Sequence, residues 1–211
     1  MRLGLLGGSF DPPHFGHLHV ARAARETLAL DEVRLIPAAQ PPHKRGRVLA
    51  PDEDRVAMTE RLAALEPWLR VDRCELERGG TSFTHDTLVR MRQSLAGRDV
   101  ELFFLLGSDS LVDLPTWHRA DELVGLATIV TVARDRASVE LGLAQLDSKL
   151  PHAAESIRAH VLEVEPLPIS STQVRARVRA GQPIDELVPR SIADYIASHG
   201  LYREAAADRG R

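Results

Sequence analysis

Two histidines, His14 and His17, stand three residues apart behind a glycine-rich turn, in the stretch GLLGGSFDPPHFGHLHV over residues 4–20. The turn begins at Gly7 and Gly8, where the missing side chains allow the backbone to approach a ligand closely. His17 stands where a helix is expected to begin, and backbone N–H groups and the helix dipole favour an anion there. Imidazoles add directional donors that can follow charge onto a phosphoryl oxygen. The stretch therefore predicts phosphate chemistry, with His14 and His17 as the catalytic residues.

Two other interpretations of this stretch remain open. The glycines lack the spacing of the G-x-G-x-x-G fingerprint and of the P-loop, and an ordinary strand-to-helix turn would also explain them. His14, His17 and His19 could instead bind zinc, but no cysteine lies nearby and His19 should point along a different helix face from His17. The stiff sequence Asp11-Pro12-Pro13 delivers His14, and Gly16 makes room before His17. We therefore favour the anion site and expect no protein-bound metal.

A second candidate stretch, PLPISSTQVRARVR, lies near the other end of the chain. Ser170 or Ser171 can cap a helix, and Gln173 completes a Ser-x-x-Gln capping box, which is a sufficient structural explanation. Arg175 follows Ser171 by four residues and so falls on the same helix face one turn later. Backbone amides, hydroxyls and a guanidinium could therefore converge on a polyphosphate.

Four more candidates follow predicted strands or lie in loops. Lys44 is one of two lysines in an arginine-rich chain and could hold a phosphate as a compact charge, although its Pro41-Pro42 context also suits a plain turn. Asp109 follows the very apolar run ELFFLL and could cap a helix or accept hydrogen bonds from a ribose. Trp117, in a loop, could stack on a flat ring or belong to the core. Arg134 could line a nucleoside pocket or be an ordinary surface arginine.

Composition limits the classes of protein to which the chain can belong. The 211 residues, of which 44% are hydrophobic, predict one domain over residues 1–203, with a disordered tail over residues 204–211. A net charge of -3 argues against wide nucleic-acid binding. The single cysteine, Cys74, excludes an intramolecular disulfide and is expected in a strand. With no signal peptide or membrane span in the pattern, we expect a cytoplasmic protein and no membrane partner.

The order of apolar runs predicts the fold class. Strand-like runs begin at residues 2, 32, 69, 100, 127 and 161, and helical patterns cover residues 17–30, 51–65 and 82–95. Alternating strands and helices predict a doubly wound, mostly parallel α/β sheet of Rossmann-like type. The residues after the last run read as short helices, which we expect to form a helical C-terminal cap on the sheet. Ligands in such a fold bind beyond the carboxyl ends of the strands, where the candidate motifs fall.

The paired motifs GGSFDPPHFGH and ISSTQVR resemble those of the nucleotidylyltransferases whose signature is Thr/His-x-Gly-His. The segments between them are similar to the bacterial nicotinate mononucleotide adenylyltransferases: PPHK at residues 41–44, TSFT at 81–84, LGSDSL at 106–111 and LPTWHR at 114–119. The resemblance covers nearly the whole chain. It implies transfer of the adenylyl group of ATP, bound with Mg²⁺, to nicotinate mononucleotide, giving deamido-NAD and pyrophosphate.

The resemblance also assigns roles to residues of this chain. His17 is expected to stabilise the α-phosphoryl transition state. The residues expected to bind ATP are Gly7, Gly8, Ser9, Phe10, His14, Gly16, His17, Gly107, Arg134, Ile169, Ser170, Ser171 and Arg175. The residues expected to bind the acceptor are Lys44 at its phosphate, Asp109 at a ribose, and Phe83, Thr84 and Trp117 around the pyridine ring. Phe83 stands where the family often has tyrosine, so a contact through a phenolic hydroxyl is absent here.

The segment GGTSFTHDTL suggests why the acid would be preferred over the amide. Gly79-Gly80 permits a tight approach, and the backbone N–H groups around Phe83 and Thr84 open a helix, where a carboxylate is favoured. Two rival functions remain open: the same chemistry on nicotinamide mononucleotide, phosphopantetheine or a flavin, and a non-catalytic nucleotide-binding regulator. A homo-oligomer is also open, because the C-terminal cap could form a symmetric interface.

Overall fold

The computed structural model describes residues 1–41, 48–133 and 135–203. Their strands form one sheet in the order β3-β2-β1-β4-β5-β6, and every neighbouring pair is parallel. The strands are β1 (Arg2–Gly8), β2 (Glu32–Pro37), β3 (Leu69–Val71), β4 (Glu101–Gly107), β5 (Thr128–Ala133) and β6 (Val161–Glu163). Each strand coincides with a predicted apolar run, so the doubly wound α/β prediction is confirmed.

Helices connect the strands and follow the last of them. They are α1 (Phe15–Thr27), α2 (Asp52–Ala63), α3 (Cys74–Arg78), α4 (Thr84–Ser94), α5 (Ser108–Leu111), α6 (Leu123–Leu126), α7 (Arg136–Lys149), α8 (Pro151–Arg158), α9 (Ser171–Arg179) and α10 (Arg190–Ser198), with short 3-10 turns at Leu114–Thr116 and Ala120–Glu122. The three predicted helices are present as α1, α2 and α4. Among the described residues, no helix combines the length and the apolar character that a membrane crossing would need.

The sheet separates two hydrophobic layers. Successive residues of β4 alternate between them: Phe103 and Leu105 face a core built with α1, α2, α9 and α10, whereas Phe104 and Leu106 face α4 to α8. Strands buried on both faces read as continuous apolar runs, as ELFFLL does. Because α9 and α10 complete the first layer, the predicted C-terminal helical cap is confirmed.

The strand order reverses at β1. This strand pairs with β2 on one side and with β4 on the other, so the loops after β1 and β4 diverge above the sheet. Such a switch point opens a crevice at the carboxyl ends of the strands. The glycine-rich turn and the loop carrying Asp109 therefore flank one crevice.

Cys74 corrects a prediction, because it begins α3 and does not belong to a strand. β3 ends at Val71, and the Asp72 carboxylate accepts a hydrogen bond from the Cys74 backbone N–H at 3.0 Å, which turns the chain. Burial first, and then the nearby Asp72 carboxylate, raise the pKa of the Cys74 thiol to about 12. The thiol is therefore protonated at neutral pH, and a protonated thiol is a poor nucleophile.

Candidate active site

A cleft of about 460 Å³ opens at the switch point between β1 and β4. Most of the predicted site residues line it: Gly7, Gly8, Ser9, Phe10, Gly16, His17, Phe83, Thr84, Gly107, Asp109, Trp117 and Ser171. A smaller hollow of about 280 Å³ adjoins it and is lined by His14, Gly16, Ile169 and Ser170, among others. Gly16 belongs to both cavities, so the His-x-Gly-His motif lies between them.

The two histidines of the motif occupy the N-terminus of α1. His14 is the residue before the helix, 5% exposed, and its ring lies 3.8 Å from that of His17, centroid to centroid. The backbone N–H of His14 donates to Nδ1 of His17 at 3.2 Å. Because Nδ1 accepts, the proton of the neutral ring resides on Nε2. The motif therefore gives His17, a residue of the cleft wall, a defined donor nitrogen.

Gly16 is required by the packing of the motif. A Cβ at this position would lie 2.9 Å from two atoms of the His14 ring and 3.3 Å from the backbone oxygen of Ile169. Real Cβ atoms essentially never lie as close as 2.9 Å to such neighbours. The absence of a side chain at Gly16 therefore allows the His14 ring and the segment before α9 to pack against the start of α1. This agrees with the prediction that Gly16 makes room before His17.

The loop between β1 and α1 is fixed by a buried carboxylate that sequence reasoning treated only as part of a stiff loop. Asp11 is 2% exposed, and its Oδ1 accepts from the Tyr202 hydroxyl at 2.9 Å and from the Ala50 N–H at 3.1 Å. Its Oδ2 lies 3.5 Å from the Arg175 guanidinium. Burial and the adjacent Asp11 raise the pKa of the Tyr202 hydroxyl above its ordinary value. These contacts join α9, the C-terminal segment and the segment before α2 to the loop that delivers His14.

Arg55, which the sequence did not single out, supports the same loop from below. Its side chain is fully buried, and it donates to the Ser9 carbonyl at 2.7 Å and to the Ala50 carbonyl at 3.2 Å. Asp52 balances the charge at 2.5 Å. Because the buried guanidinium donates hydrogen bonds to backbone carbonyls, it holds the glycine-rich turn in place. In the sequence, Arg55 is only a charged residue within a helical pattern, and nothing in that pattern indicates that its side chain is buried.

The second motif is confirmed as a helix cap. The Ser170 hydroxyl accepts from the Gln173 N–H at 3.2 Å at the start of α9. The Ser171 hydroxyl donates to the Pro12 carbonyl at 2.9 Å, which ties α9 to the loop before α1. Ser170 lines the hollow and Ser171 lines the cleft, so the cap sits where both cavities meet.

Arg175 takes a different position from the one expected. Its guanidinium is buried, donates to the Asp11 carbonyl and to the Thr172 hydroxyl, and lines neither cavity. The helix spacing does bring Arg175 beneath Ser171, but the Asp11 loop covers it. The structure therefore gives Arg175 a positioning role, and a direct phosphate contact stays a prediction.

The far wall of the cleft is built by the start of α4 and by the loop after α5. Phe83 precedes α4, and its ring lies 4.6 Å from that of His118, centroid to centroid. Trp117 is half-buried and meets Phe104 edge-on at 6.5 Å, so it belongs to both the core and the cleft wall. Asp109 is exposed at the mouth of β4. A flat apolar ring entering here would meet aromatic faces and a helix N-terminus.

Glu75 is a buried acid in this wall that sequence reasoning missed. Its Oε1 accepts from the Thr87 hydroxyl at 2.6 Å. Burial raises the pKa of Glu75, although the bonds from Thr87 and Ser82 oppose the shift. The acid therefore carries an electrostatic cost when ionised, next to the place proposed for an anionic acceptor.

Gly79 and Gly80 form the turn after α3, and the close approach of a ligand expected there stays a prediction. Both adopt left-handed backbone angles, with φ of 68° and 70°, and a Cβ on either would meet nothing within 4 Å. Glycine is needed there for the turn itself, which leads from α3 toward α4. Two other predicted residues, Lys44 and Arg134, lie outside the described residues.

Comparison with known proteins gives a consistent result. The sequence profile of the cytidylyltransferase-like family matches residues 5–177. A probable nicotinate-nucleotide adenylyltransferase of Roseiflexus sp. (strain RS-1) is 42% identical over 203 residues, 95% of this chain and 98% of that protein. A protein of the same description from Gemmatimonas aurantiaca is 43% identical over 204 residues, 97% and 93% of the two chains.

A solved structure supports the fold. The nicotinic acid mononucleotide adenylyltransferase of Plasmodium falciparum, complexed with NaAD, superimposes with a TM-score of 0.73 over 95% of this chain and 97% of that one. The two sequences are 18% identical, so this likeness concerns the fold alone.

Proposed function

Since the chain belongs to the cytidylyltransferase-like family, whose profile covers residues 5–177, we propose that it transfers the adenylyl group of ATP to nicotinate mononucleotide, giving deamido-NAD and pyrophosphate. The relatives named for this activity match almost the full length of the chain. The observation that carries the proposal is the position of His14-Phe15-Gly16-His17 between two cavities, at the N-terminus of α1.

The reaction requires positioning and charge stabilisation. An oxygen of the acceptor phosphate attacks the α-phosphorus of ATP, the new P–O bond forms, and the bond from that phosphorus to the β-bridging oxygen breaks. Pyrophosphate leaves with the electron pair, and no bond to the protein is made. His17, with its proton on Nε2, donates to the α-phosphoryl oxygens as charge develops there. The amides of the first turn of α1 act in the same direction.

His14 supports this step from a buried position. Its ring packs against that of His17 and lines the smaller hollow, with Ile169 and Ser170 nearby. We assign this hollow, together with the turn at Gly7 to Phe10 and Gly107, to ATP. Ser170 and Ser171 stand at the phosphate end, because each touches a different cavity at the start of α9.

Magnesium enters with ATP as part of the substrate. The donor set around the motif consists of imidazoles, hydroxyls and amides, and the one buried carboxylate of the loop, Asp11, is already engaged by Ala50, Tyr202 and Arg175. Mg²⁺ prefers oxygen ligands and usually keeps substrate phosphates and water. The described residues therefore fit a nucleotide-borne Mg²⁺, which would neutralise phosphate charge, better than a resident ion.

The acceptor occupies the far wall of the cleft. Thr84 and Phe83 bring the N-terminus of α4 to the cleft, and this helix end favours the nicotinate carboxylate over a neutral amide. Trp117 stacks on or beside the pyridine ring, and Asp109 accepts from a ribose hydroxyl. Lys44 is proposed at the acceptor phosphate. A cytoplasmic location, the absence of a nucleic-acid or membrane partner and a possible homo-oligomer stay predictions.

An acceptor panel tests the proposal. Pyrophosphate release and the adenylated product are measured with MgATP and, in turn, nicotinate mononucleotide, nicotinamide mononucleotide, phosphopantetheine and flavin mononucleotide. We expect deamido-NAD from the first acceptor at the highest catalytic efficiency. A higher efficiency with another acceptor would contradict nicotinate mononucleotide as the substrate, and no release with any acceptor would contradict adenylyl transfer.

A further inference from the structure

A cluster of possible metal ligands lies at the acceptor end of the cleft. His85 and Asp86 belong to the first turn of α4, and His118 follows Trp117 in the loop opposite. One ligand atom from each residue lies within 4.8 Å of the others. His85 is buried, Asp86 is half-buried and His118 is exposed, so the cluster joins the protein interior to the cleft.

The hydrogen bonds of His85 indicate which nitrogen can bind a metal. Its Nε2 lies 3.1 Å from Oε2 of Glu122, and its Nδ1 lies 3.3 Å from Oδ1 of Asp86. A neutral imidazole has one proton and can donate to only one of these carboxylates. With the proton on Nε2, the lone pair of Nδ1 opposes the Asp86 oxygen, and a cation between the two atoms relieves that repulsion.

Glu122 is the carboxylate better placed to receive the proton. Two hydrogen bonds from Arg119, both 2.6 Å long, fix its two oxygens. With both oxygens held by Arg119, the Glu122 carboxylate is positioned to accept a hydrogen bond from Nε2 of His85. A histidine that donates one N–H to a fixed carboxylate and presents its other nitrogen is the usual arrangement of a metal-binding imidazole.

His118 completes the cluster from the opposite side. Its ring is perpendicular to that of His85, at 88°, with the centroids 5.9 Å apart. In a tetrahedral zinc site with bonds of about 2.0–2.2 Å, ligand atoms stand about 3.4 Å apart. The atoms that lie farthest apart must therefore approach each other by up to about 1.4 Å. The exposed side chain of His118 is the one free to move by that amount.

We propose that His85, Asp86 and His118 bind one divalent transition-metal ion of the Zn²⁺ class, through Nδ1 of His85, the Asp86 carboxylate and a ring nitrogen of His118. Two nitrogen ligands and one oxygen ligand favour such an ion over Mg²⁺ or Ca²⁺. Water takes the fourth position. The ion links α4 to the loop that carries Trp117, and its binding does not depend on the proposed adenylyl transfer.

Titration of the chelator-treated, untagged full chain tests the site. Calorimetry with ZnCl₂ is expected to show one saturable equivalent, the melting temperature is expected to rise with zinc concentration, and Co²⁺ is expected to give the visible absorption of a tetrahedral complex. The absence of a saturable one-to-one event would overturn the proposal.

Variants locate the ion. His118→Ala changes an exposed residue and is expected to weaken zinc binding at least tenfold, and Asp86→Asn is expected to do the same. Glu122→Gln is expected to lower the affinity by about 10- to 100-fold, as loss of a supporting carboxylate does. His152→Ala, at an exposed histidine of α8, is the matched control and should bind zinc like the parent chain. Unchanged affinity in His118→Ala would place the zinc elsewhere and refute the assignment.

Discussion

Replacing Tyr202 with Phe tests whether the C-terminal segment holds the catalytic loop. The change removes only the hydroxyl that donates to Oδ1 of buried Asp11 at 2.9 Å. A hydrogen bond to a charged group contributes about 1.5–3 kcal/mol. Asp11 keeps its bonds from Ala50 and Arg175, so we expect a loss of about 1.5–2 kcal/mol, at the lower end of this range. For a chain of this size that corresponds to a fall in melting temperature of about 3–8 °C.

The same variant should lose turnover, because Asp11 fixes the loop that delivers His14. A loss of 1.4 kcal/mol in transition-state positioning lowers kcat about tenfold, and we expect at least this effect together with the fall in melting temperature. The assay is steady-state pyrophosphate release, paired with thermal melting of the same preparations.

Tyr195→Phe is the matched control. Its hydroxyl donates to Oδ1 of Asp54 at 2.7 Å, on the outer side of α10 and α2, and Asp54 is half-buried. Because both side chains are only half-buried, water weakens this bond, which contributes about 0.5–1.5 kcal/mol. Neither residue lines the cleft. Equal effects of the two substitutions on kcat and melting temperature would refute the role assigned to Asp11.

The dependence of stability on alkaline pH gives an independent test of the hydrogen bond between Tyr202 and Asp11. The pKa of Tyr202 is raised in the folded state by burial and by Asp11, so its contribution to stability is present below the unfolded value of about 10 and is lost as pH rises above it. The difference in melting temperature between the parent chain and Tyr202→Phe should therefore shrink above about pH 10.

Three further outcomes are expected. Gly16→Ala should lower kcat at least tenfold, because its Cβ would displace the His14 ring. The control is Gly125→Ala, whose Cβ meets no neighbouring atom and which should stabilise α6 by up to about 1 kcal/mol. Equal kcat values in the two variants would contradict the role of Gly16 in packing. Glu75→Gln should raise the melting temperature at pH 7, because the raised pKa makes ionised Glu75 costly, and the gain should vanish below the unfolded pKa of about 4.3; a gain independent of pH would exclude this cause. The ratio of kcat/KM for nicotinate over nicotinamide mononucleotide should be about a hundredfold or more, and equal efficiencies would remove the acid preference.

Local sequence patterns were sufficient to predict the strands, the first helix and the helix cap at Ser170. Apolar runs, helix periodicity and a Ser-x-x-Gln sequence report on neighbours within one turn or one strand, and the parallel sheet brings the carboxyl ends of β1 and β4 together. The cleft residues Gly107 and Asp109 were predictable for this reason, since each follows a buried strand.

Long-range contacts were not predictable in the same way. The bond between Tyr202 and Asp11 spans 191 positions, and nothing near either residue indicates the other. Burial of Arg175 has the same origin, because the loop that covers it comes from the other end of the chain. Cys74 was assigned to a strand since its apolar neighbours resemble one, and only the turn made by Asp72 ends β3 before it.

The turnover of His17→Ala tests the central claim most directly. In the proposed reaction, His17 carries a proton on Nε2, and its contact with the α-phosphoryl group strengthens as charge develops there. Single-turnover formation of deamido-NAD, with the ATP dissociation constant measured on the same protein, should show a rate lower by about 10² to 10³ and an ATP affinity changed only slightly. A near-native rate would contradict the account by removing His17 from the chemistry.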